Sequence, residues 1–235
     1  VTWIFYDHEE VAGDANGLGR VAGVRPDLLD ADFAVLMEPT AARIEGGCQG
    51  TSRFDITTRG RTAHSGRAWL GHNAIHDAAP ILDRLAAYVP RTGVVDGLEY
   101  REGLNATWIS GGVALNTIPD SCTVTVNFRF APDRDEADAR AHVATVFEGY
   151  DLVYTDFSPA ARPGLDRPAA REFLDAVGGD PLPKYGWTDV ARFSALGVPA
   201  VNFGPADPSL AHTDDEFCPV ADLYACRDAL ARWLA

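Results

Sequence analysis

The segment from Cys122 to Phe130 (CTVTVNFRF) has the most regular alternation of polar and apolar residues in the chain. Such alternation is typical of a β-strand with one buried face and one wet face, as in antiparallel sheets. Ser52 to Thr58 (SRFDITT) alternates in the same way, and two further strands are predicted over residues 104–110 and 152–157. These four segments predict an antiparallel sheet in the middle of the chain.

Helical patterns separate these strands. Residues 73–89 carry apolar side chains at helical spacing, and we expect Pro80 to bend or break that helix. A second helix is predicted through Phe147, with Pro132 or Asp133 near its N-terminus. The order β-α-β-β-α-β over residues 50–157 predicts an inserted α+β unit with a ferredoxin-like fold.

The flanking segments have α/β character instead. Buried strands are predicted at residues 1–6, 32–37 and 198–203, turn chemistry from Gly13 to Gly19, and helices at 168–177 and 220–234. We therefore predict an α/β domain formed by residues 1–49 and 158–235, with a lid of residues 50–157 inserted into it. Because Val1 lies inside a predicted core strand, we expect an N-terminal portion of the protein to lie outside this sequence.

Composition narrows the range of partners. The formal net charge of −14 argues against nucleic acid or an anionic membrane as a partner. No apolar run approaches the roughly 20 residues that a membrane-spanning helix needs. The four cysteines are scattered without a CxxC pair, which favours a reduced, cytoplasmic protein. An anionic substrate would require a locally basic pocket.

Acidic and imidazole side chains follow the predicted strands of the α/β domain. Glu9 and Glu10 follow the first strand, Glu38 follows the second, and His212 lies in the loop after the strand at 198–203. In open α/β sheets, ligands collect at the carboxyl ends of strands. Adjacent carboxylates oppose each other's ionisation, a cost that a cation relieves. Carboxylate and imidazole donors suit zinc, although each residue alone is equally compatible with a solvated loop.

Seven short motifs together resemble the two-zinc aminoacylase and carboxypeptidase family of metallohydrolases. The resemblance covers the whole chain and rests on DHEE (7–10), MEPT (37–40), RTAHS (61–65), LNTIP (115–119), NFR (127–129), GWTD (186–189) and AHTDDE (211–216). It implies a zinc-binding α/β domain and an inserted ferredoxin-like lid that forms a homodimer. Four stretches narrow it to the branch that removes succinate from N-succinyl-LL-diaminopimelate: GCQG (47–50), YREGLN (100–105), NFRFAP (127–132) and GWTDVARFS (186–194).

The resemblance also implies roles at the metal centre. Glu9 matches the general base, and its neighbour Glu10 matches a zinc ligand that shares its metal with His212. Glu38 matches a ligand of the other zinc, and cobalt is a possible substitute for either ion. His64 matches a lid histidine that reaches the partner subunit's active site and steadies the developing oxyanion. Arg129, Asn116 and Thr188 match positions that contact an anionic N-acyl amino acid.

Two departures from the family pattern affect these expectations. The family's first two metal ligands, a histidine and a bridging aspartate, would precede Val1, so we expect this fragment alone to bind zinc poorly and to be inactive. Some relatives carry two asparagines before the Ile-Pro turn, whereas Leu115 precedes Asn116 here. The difference at Leu115 leaves open a deacylase or dipeptidase with another substrate, and the missing ligands leave open a non-catalytic dimeric module.

Overall fold

The computed structural model describes residues 1–10, 13 and 15–235. The strands, in chain order, are β1 (Ala34–Leu36), β2 (Glu45–Gly46), β3 (Gly50–Arg59), β4 (Ala63–His64), β5 (Thr92–Val95), β6 (Leu98–Arg101), β7 (Gly103–Gly111), β8 (Thr117–Ile118), β9 (Ser121–Phe130), β10 (Leu152–Ser158), β11 (Leu182–Pro183) and β12 (Ala200–Asn202). The α-helices are α1 (Gly17–Val24), α2 (Ala74–Asp77), α3 (Ala79–Ala86), α4 (Glu136–Val146), α5 (Pro168–Val177), α6 (Val190–Ala195) and α7 (Val220–Trp233). Short 3-10 helices cover Pro26–Leu29, Ser65–Leu70 and Pro208–Leu210.

The chain divides into two compact units. The first unit consists of Val1–Gln49, Val94–Tyr100 and Ala160–Ala235, and the second of Gly50–Gly93 and Arg101–Pro159. No helix in the described part of the chain combines the length and apolar character that crossing a bilayer requires. All four cysteines are free thiols.

A mixed four-stranded sheet organises the first unit, in the order β1-β12-β2-β11. Strand β1 pairs in parallel with β12, so the carboxyl ends of both strands meet at one edge. The consecutive residues Ala200 and Val201 of β12 belong to different clusters of buried side chains, as the alternation along a strand requires. Helices α1 and α6 contribute to one cluster, and α5 and α7 to the other. The sheet therefore lies between two helical layers.

The second unit contains a four-stranded antiparallel sheet in the order β10-β3-β9-β7. Strand β9 alternates between half-buried and fully buried residues along its whole length, as its sequence predicts. Buried Val124, Val126 and Phe128 form the apolar face, and Thr125 and Asn127 lie on the polar face. Helices α2 and α3 stand where one long helix is predicted, because the helix breaks at Ala78, and Pro80 occupies the first turn of α3.

The N-terminal cap of α4 differs from the prediction. Its cap is Asp135, whose Oδ1 accepts a hydrogen bond from the N–H of Asp138 at 2.8 Å. Asp133 is instead bound by Arg91, whose Nη1 donates to it at 2.8 Å. Asp133 therefore forms an ion pair with a residue distant in sequence, and Asp135 caps the helix in its place.

The hairpin of β5 and β6 changes the division of the chain that the sequence predicts. Residues 94–100 group with the first unit, because Tyr100 is fully buried there and its hydroxyl donates to the carbonyl of Gly46 at 2.6 Å. Asp96 and Gly97 form its turn with φ of 50° and 87°. An Asp-Gly pair between apolar runs is a strong hairpin signal, and our sequence analysis missed it.

The prediction of a buried strand at residues 1–6 is wrong. No β-ladder of the described residues includes this segment, and Val1 and Phe5 are 88% and 92% exposed. A strand needs a neighbouring backbone to satisfy its N–H and C=O groups, and an aromatic, β-branched composition does not supply one. The turn predicted from Gly13 to Gly19 includes Asp14, outside the described residues, and is helical from Gly17 onward.

Candidate active site

The acidic pair is held close to the first helix of the first unit. Half-buried Tyr6 packs against the core cluster, and the carbonyl of Asp7 accepts a hydrogen bond from the N–H of Gly17 at 2.9 Å. A Cβ on Gly17 would lie 2.6 Å from that carbonyl, so only glycine permits the approach. His8 has a φ of +59°, which is unfavourable for a residue with a side chain and is a feature found often at functional sites.

Glu9 lies in a region of uncompensated negative charge. Burial is the largest cause that raises its pKa, followed by the charges of Glu38, Glu10 and Asp189, while Arg192 opposes the shift. The resulting pKa is about 7, against an ordinary value of 4.5. A carboxyl group with a pKa near 7 can both accept and release a proton at neutral pH, which is the property of a general acid-base catalyst.

The end of β1 and the loop after β12 position Glu38. The Oγ1 of Thr40 donates to the carbonyl of Gly204 at 3.1 Å and accepts from its N–H at 3.0 Å, which ties the two loops together. A Cβ on Gly204 would lie 2.5 Å from the carbonyl oxygen of Glu38, so these backbones are in contact. Burial raises the pKa of Glu38, the charge of Lys184 lowers it, and Glu10 raises it.

A buried lysine supports the same loop. The Nζ of Lys184 lies 2.8 Å from Oε2 of Glu45 and donates to the carbonyl of Pro39 at 3.3 Å. Lys184 and Glu45 are both 8% exposed. This ion pair places one fixed positive charge next to an otherwise acidic site.

Glu10 and His212 lie next to each other. The Nε2 of His212 is 3.7 Å from Oε2 of Glu10, and both side chains are exposed. His212 has a φ of +65°, and its N–H donates to Oε2 of Glu216 at 3.0 Å. The strained backbone of His212 is therefore held by its own loop.

The donor types at this site fit a divalent metal such as zinc. A cation would also neutralise the mutual repulsion of Glu9, Glu38 and Glu10, which the raised pKa values of Glu9 and Glu38 record. Among residues 1–10, 13 and 15–235, however, no three His, Cys, Asp or Glu side chains form a group able to hold a metal ion. The assignment of Glu10, Glu38 and His212 as metal ligands therefore stays a prediction.

Thr188 is buried at the start of α6. Its hydroxyl donates to Oδ1 of Asn202 at 2.9 Å, and Nδ2 of Asn202 donates to the carbonyls of Glu45 and Gly47. With 3% of its surface exposed, Thr188 is part of the packing between α6 and β12. Its predicted contact with substrate is not tested by this geometry.

The second unit brings two other predicted residues together. His64 in β4 pairs with Thr117 in β8, and the N–H of Ser65 donates to the carbonyl of Asn116 at 2.8 Å. His64 is exposed, and its Nδ1 accepts from the N–H of Gly66 at 3.0 Å. An accepting Nδ1 places the proton of the neutral ring on Nε2, which makes that atom a hydrogen-bond donor.

Arg129 lies on the polar face of β9. Its Nε donates to Oδ1 of Asn127 at 3.2 Å, and Nδ2 of Asn127 donates in turn to Oγ1 of Thr51 at 2.9 Å. The strand and this bond hold Arg129 in place with its side chain half-buried. The geometry suits a guanidinium that binds a carboxylate, and that role stays a prediction.

The sequence analysis missed four residues that organise the site in the first unit. They are Asn16, Glu45, Lys184 and Asp189, all buried and all in ion pairs or hydrogen bonds with distant residues. Asp189 lies in the GWTD motif, so the motif was a usable signal for it. The other three have no local pattern that separates them from surface polar residues.

Comparison with known proteins identifies the family. A profile of the peptidase dimerisation domain (M20_dimer) matches residues 47–155. A Mycobacterium tuberculosis protein designated succinyl-diaminopimelate desuccinylase DapE is 54% identical over 100% of this chain and 67% of that protein. The succinyl-diaminopimelate desuccinylase of Corynebacterium glutamicum is 46% identical over 100% of this chain and 65% of that protein. The chain thus spans about two thirds of the length of these curated relatives.

Solved structures agree on the fold. The M20 family metallo-carboxypeptidase Sso-CP2 from Sulfolobus solfataricus superposes with a TM-score of 0.71 at 17% identity, over 96% of this chain and 68% of that one. At this identity the likeness shows the fold alone. Together with the sequence identity over the whole chain, it establishes that the chain belongs to the succinyl-diaminopimelate desuccinylase family of metal-dependent amidohydrolases.

Proposed function

We propose that this chain acts in a desuccinylase that hydrolyses the amide bond of N-succinyl-LL-diaminopimelate and releases succinate, a step of lysine and diaminopimelate synthesis in the cytoplasm. The observation that carries the proposal is the placing of Glu10 beside His212, 3.7 Å apart, with the carboxyl group of Glu9 next to Glu10 in sequence. The names of the relatives at 54% and 46% identity support the choice of substrate.

Glu9 performs the proton transfers in this proposal. As a carboxylate it takes a proton from the attacking water, and as a carboxylic acid it gives that proton to the leaving amine. A pKa near the working pH allows both steps, whereas an ordinary carboxyl group would be a weak acid catalyst at neutral pH because it is almost fully ionised.

Glu10 and His212 would hold one metal ion and Glu38 the other. Zinc is the proposed ion, with cobalt as a substitute. A divalent metal bound there would supply Lewis-acid chemistry and lower the pKa of water to roughly 7. The fixed charge of Lys184 keeps the loop of Glu38 in place.

Substrate binding falls to three predicted residues. Arg129 offers two parallel hydrogen bonds to a carboxylate of the anionic substrate, which a protein of net charge −14 cannot attract through its overall field. Asn116 offers an exposed amide beside His64. Thr188 would have to exchange its bond to Asn202 for one to the substrate.

We also propose that the second unit is a ferredoxin-like lid through which two copies form a homodimer. The sheet order β10-β3-β9-β7 and the match of residues 47–155 to a peptidase dimerisation domain support this. In such a dimer, the Nε2–H of His64 would stabilise the oxyanion in the partner subunit's active site. Light scattering of the natural protein should give twice the mass of one chain, and a strict monomer would contradict the proposal.

Two other functions have a specific observation in their favour. The exposed Leu115 beside Asn116 favours another N-acyl amino acid deacylase or a dipeptidase, because it alters the predicted substrate contact. The lack of a three-donor group among the described residues favours a non-catalytic dimeric module. Substrate preference separates the first from the proposal, and metal content separates the second.

The test measures hydrolysis and metal content on one preparation. The natural protein, supplied with zinc or cobalt, is given N-succinyl-LL-diaminopimelate, N-acetyl amino acids and dipeptides in parallel, and release of the free amine is followed. We expect the highest kcat/KM with the succinyl substrate and stoichiometric bound metal. A higher kcat/KM with another acyl group would select the deacylase, and a protein without metal or turnover would select the module.

A further inference from the structure

Asp189 is a fully buried carboxylate with two hydrogen-bonding partners from different parts of the first unit. Its Oδ1 accepts from Nε of Arg192 at 2.6 Å, and its Oδ2 accepts from Nδ2 of Asn16 at 3.0 Å. Tyr6 lies nearby: burial, and after it the charge of Asp189, raises the pKa of its hydroxyl. Asp189 precedes α6, where an aspartate commonly caps the helix, but its side chain makes no capping bond there. The carboxylate therefore accepts from side chains and not from the backbone N–H groups of its own helix.

The residues close to Asp189 lie on both sides of the acidic pair. Tyr6 comes three residues before Glu9. Asn16 follows the pair and caps α1, its Oδ1 accepting from the N–H of Gly19 at 2.8 Å. Arg192 also reaches the carbonyl of Gly13 at 3.5 Å. One buried carboxylate thus connects the residue that enters the acidic segment with the residues that leave it.

We infer that Asp189 is a positioning residue that fixes both flanks of the segment carrying Glu9 and Glu10. The contacts themselves do not depend on any activity, whereas their value for catalysis rests on the proposed function. Contacts at both flanks restrict where Glu9 and Glu10 can lie. Small displacements of catalytic groups lower the reaction rate strongly. Asp189 itself need not touch substrate or metal to act in this way.

The chemistry of the contacts explains why a carboxylate is required. Each oxygen of Asp189 accepts from a different donor, Arg192 or Asn16, and an ionised carboxyl group only accepts hydrogen bonds. An asparagine of the same shape would turn an NH₂ group towards one of these donors, so at least one bond would be replaced by a donor-donor contact. Asp189→Asn therefore tests the contacts with almost no change in volume.

The first experiment follows amide hydrogen exchange of this chain. The reporters are the N–H groups of Gly17, bonded to Asp7, and Gly19, bonded to Asn16. In Asp189→Asn we expect both to exchange about 10- to 100-fold faster, since a hydrogen bond to a charged group is lost. Unchanged exchange at both amides would overturn the inference.

A control and a rescue separate a local tether from general destabilisation. Glu102→Gln removes an equally buried, ion-paired carboxylate from the second unit, and it should leave exchange at Gly17 and Gly19 unchanged. The double variant Asn16→Asp with Asp189→Asn keeps one carboxylate and one amide in the pair, and should restore most of the protection. Equal acceleration in the control, or no recovery in the double variant, would each overturn the inference.

A kinetic experiment tests the link to catalysis. In the natural protein, Asp189→Asn should lower kcat by about 10²-fold with little change in KM, because positioning of the acid-base group is lost and substrate contacts are not. Recovery of kcat in the double variant is expected as well. If the wild-type protein shows no amide hydrolysis while the exchange results hold, the proposed function fails and the tether stands.

Discussion

Glu102 in the second unit is a buried carboxyl group, Glu9 in the first unit is a half-buried one, and the surroundings of the two are opposite. In the second unit, Glu102 accepts from Nε of Arg134 at 2.7 Å and from Nη2 of Arg91 at 2.8 Å. Burial alone would raise its pKa, but these hydrogen bonds outweigh that cost and hold the pKa below 4.5. In the first unit, Glu9 faces three other carboxylates, and its pKa rises to about 7.

The difference teaches how to separate a structural carboxyl group from a chemical one. Glu102 accepts from two arginine side chains and from the N–H of Ala131, so it stays ionised and joins separate segments of the second unit. The charges near Glu9 are mainly negative, and they destabilise its ionised form. Such arrangements are typical of functional sites, where a bound cation or a proton transfer depends on them. The predictions below test this distinction.

The largest effect is expected for the reacting group. Glu9→Gln in the natural protein should lower kcat by about 10³- to 10⁴-fold, because the acid-base step is lost while the shape of the side chain is kept. Steady-state kinetics with N-succinyl-LL-diaminopimelate measures it, and bound metal should remain. Turnover at the wild-type rate would remove Glu9 from the mechanism.

Glu102→Ala should have the next largest effect, on folding. Removing the carboxylate leaves Arg91 and Arg134 without the acceptor they share, so we expect the free energy of unfolding to fall by about 3–5 kcal/mol. Urea unfolding followed by circular dichroism measures the change. Unfolding at the wild-type urea concentration would contradict the structural role assigned to Glu102.

A smaller effect is expected where the backbone positions the site. In Gly204→Ala the new Cβ would lie 2.5 Å from the carbonyl oxygen of Glu38, so the variant should lose about 1–3 kcal/mol of stability. Gly23→Ala is the control: it has no neighbour within 4 Å and lies in α1, so it should gain about 0.5 kcal/mol. Equal urea midpoints for the two variants would show that the contact with Glu38 is not tight.

The smallest effects concern pH, and they have opposite signs. Glu102 has a lowered pKa when folded, so its contribution to stability is present above pH 4.5 and is lost as the pH falls through the lower folded value. Glu9 has a raised pKa, so its contribution is present below pH 4.5 and is lost as the pH rises towards about 7.

Urea unfolding of the metal-free chain between pH 3.5 and 8 tests these signs. Glu102→Gln should flatten the acid side of the stability profile, and Glu9→Gln should remove part of the decline between pH 4.5 and 7. If both variants changed the pH dependence of stability in the same direction, the opposite pKa shifts of the two carboxyl groups would be contradicted.

The second unit could be predicted well from sequence. Its strands have one wet face, so the alternation of residue types records burial directly, as in β9, predicted over 122–130 and found over Ser121–Phe130. The break near Pro80 was also predicted correctly, since proline acts on its own backbone. The helix α4 begins at Glu136, slightly later than predicted: Asp133 lies near its N-terminus but binds Arg91, and Asp135 is the cap.

The first unit was harder to predict because its order depends on distant partners. The helix α5, predicted over 168–177, is found there, but the two-residue strands β2 and β11 have no periodicity to detect. Residues 1–6 have the composition of a strand and no neighbouring strand among the described residues. An apolar composition leads to burial only where other elements of the chain pack against the segment.

Motifs pointed to the site, but not to the contacts that shape it. Glu10 and His212 lie next to each other although the strand predicted before Glu10 is absent from the described residues, and their metal binding stays a prediction. The role of Lys184 could not be predicted, because an ion pair between residues more than 100 positions apart leaves no local pattern. The GWTD motif marks Asp189 but not its hydrogen bond to the distant Asn16.

The hairpin of β5 and β6 makes the chain pass between the two units four times, at residues 49–50, 93–94, 100–101 and 159–160. A segment that enters and leaves a host once can be exchanged between proteins as a cassette. Here Val94–Tyr100 belongs to the first unit although it lies within residues 50–159 of the sequence. Grafting residues 50–159 onto another hydrolase would therefore remove Tyr100 from the interior of the first unit. Recombination within this family should therefore favour crossovers that keep this hairpin with its own host.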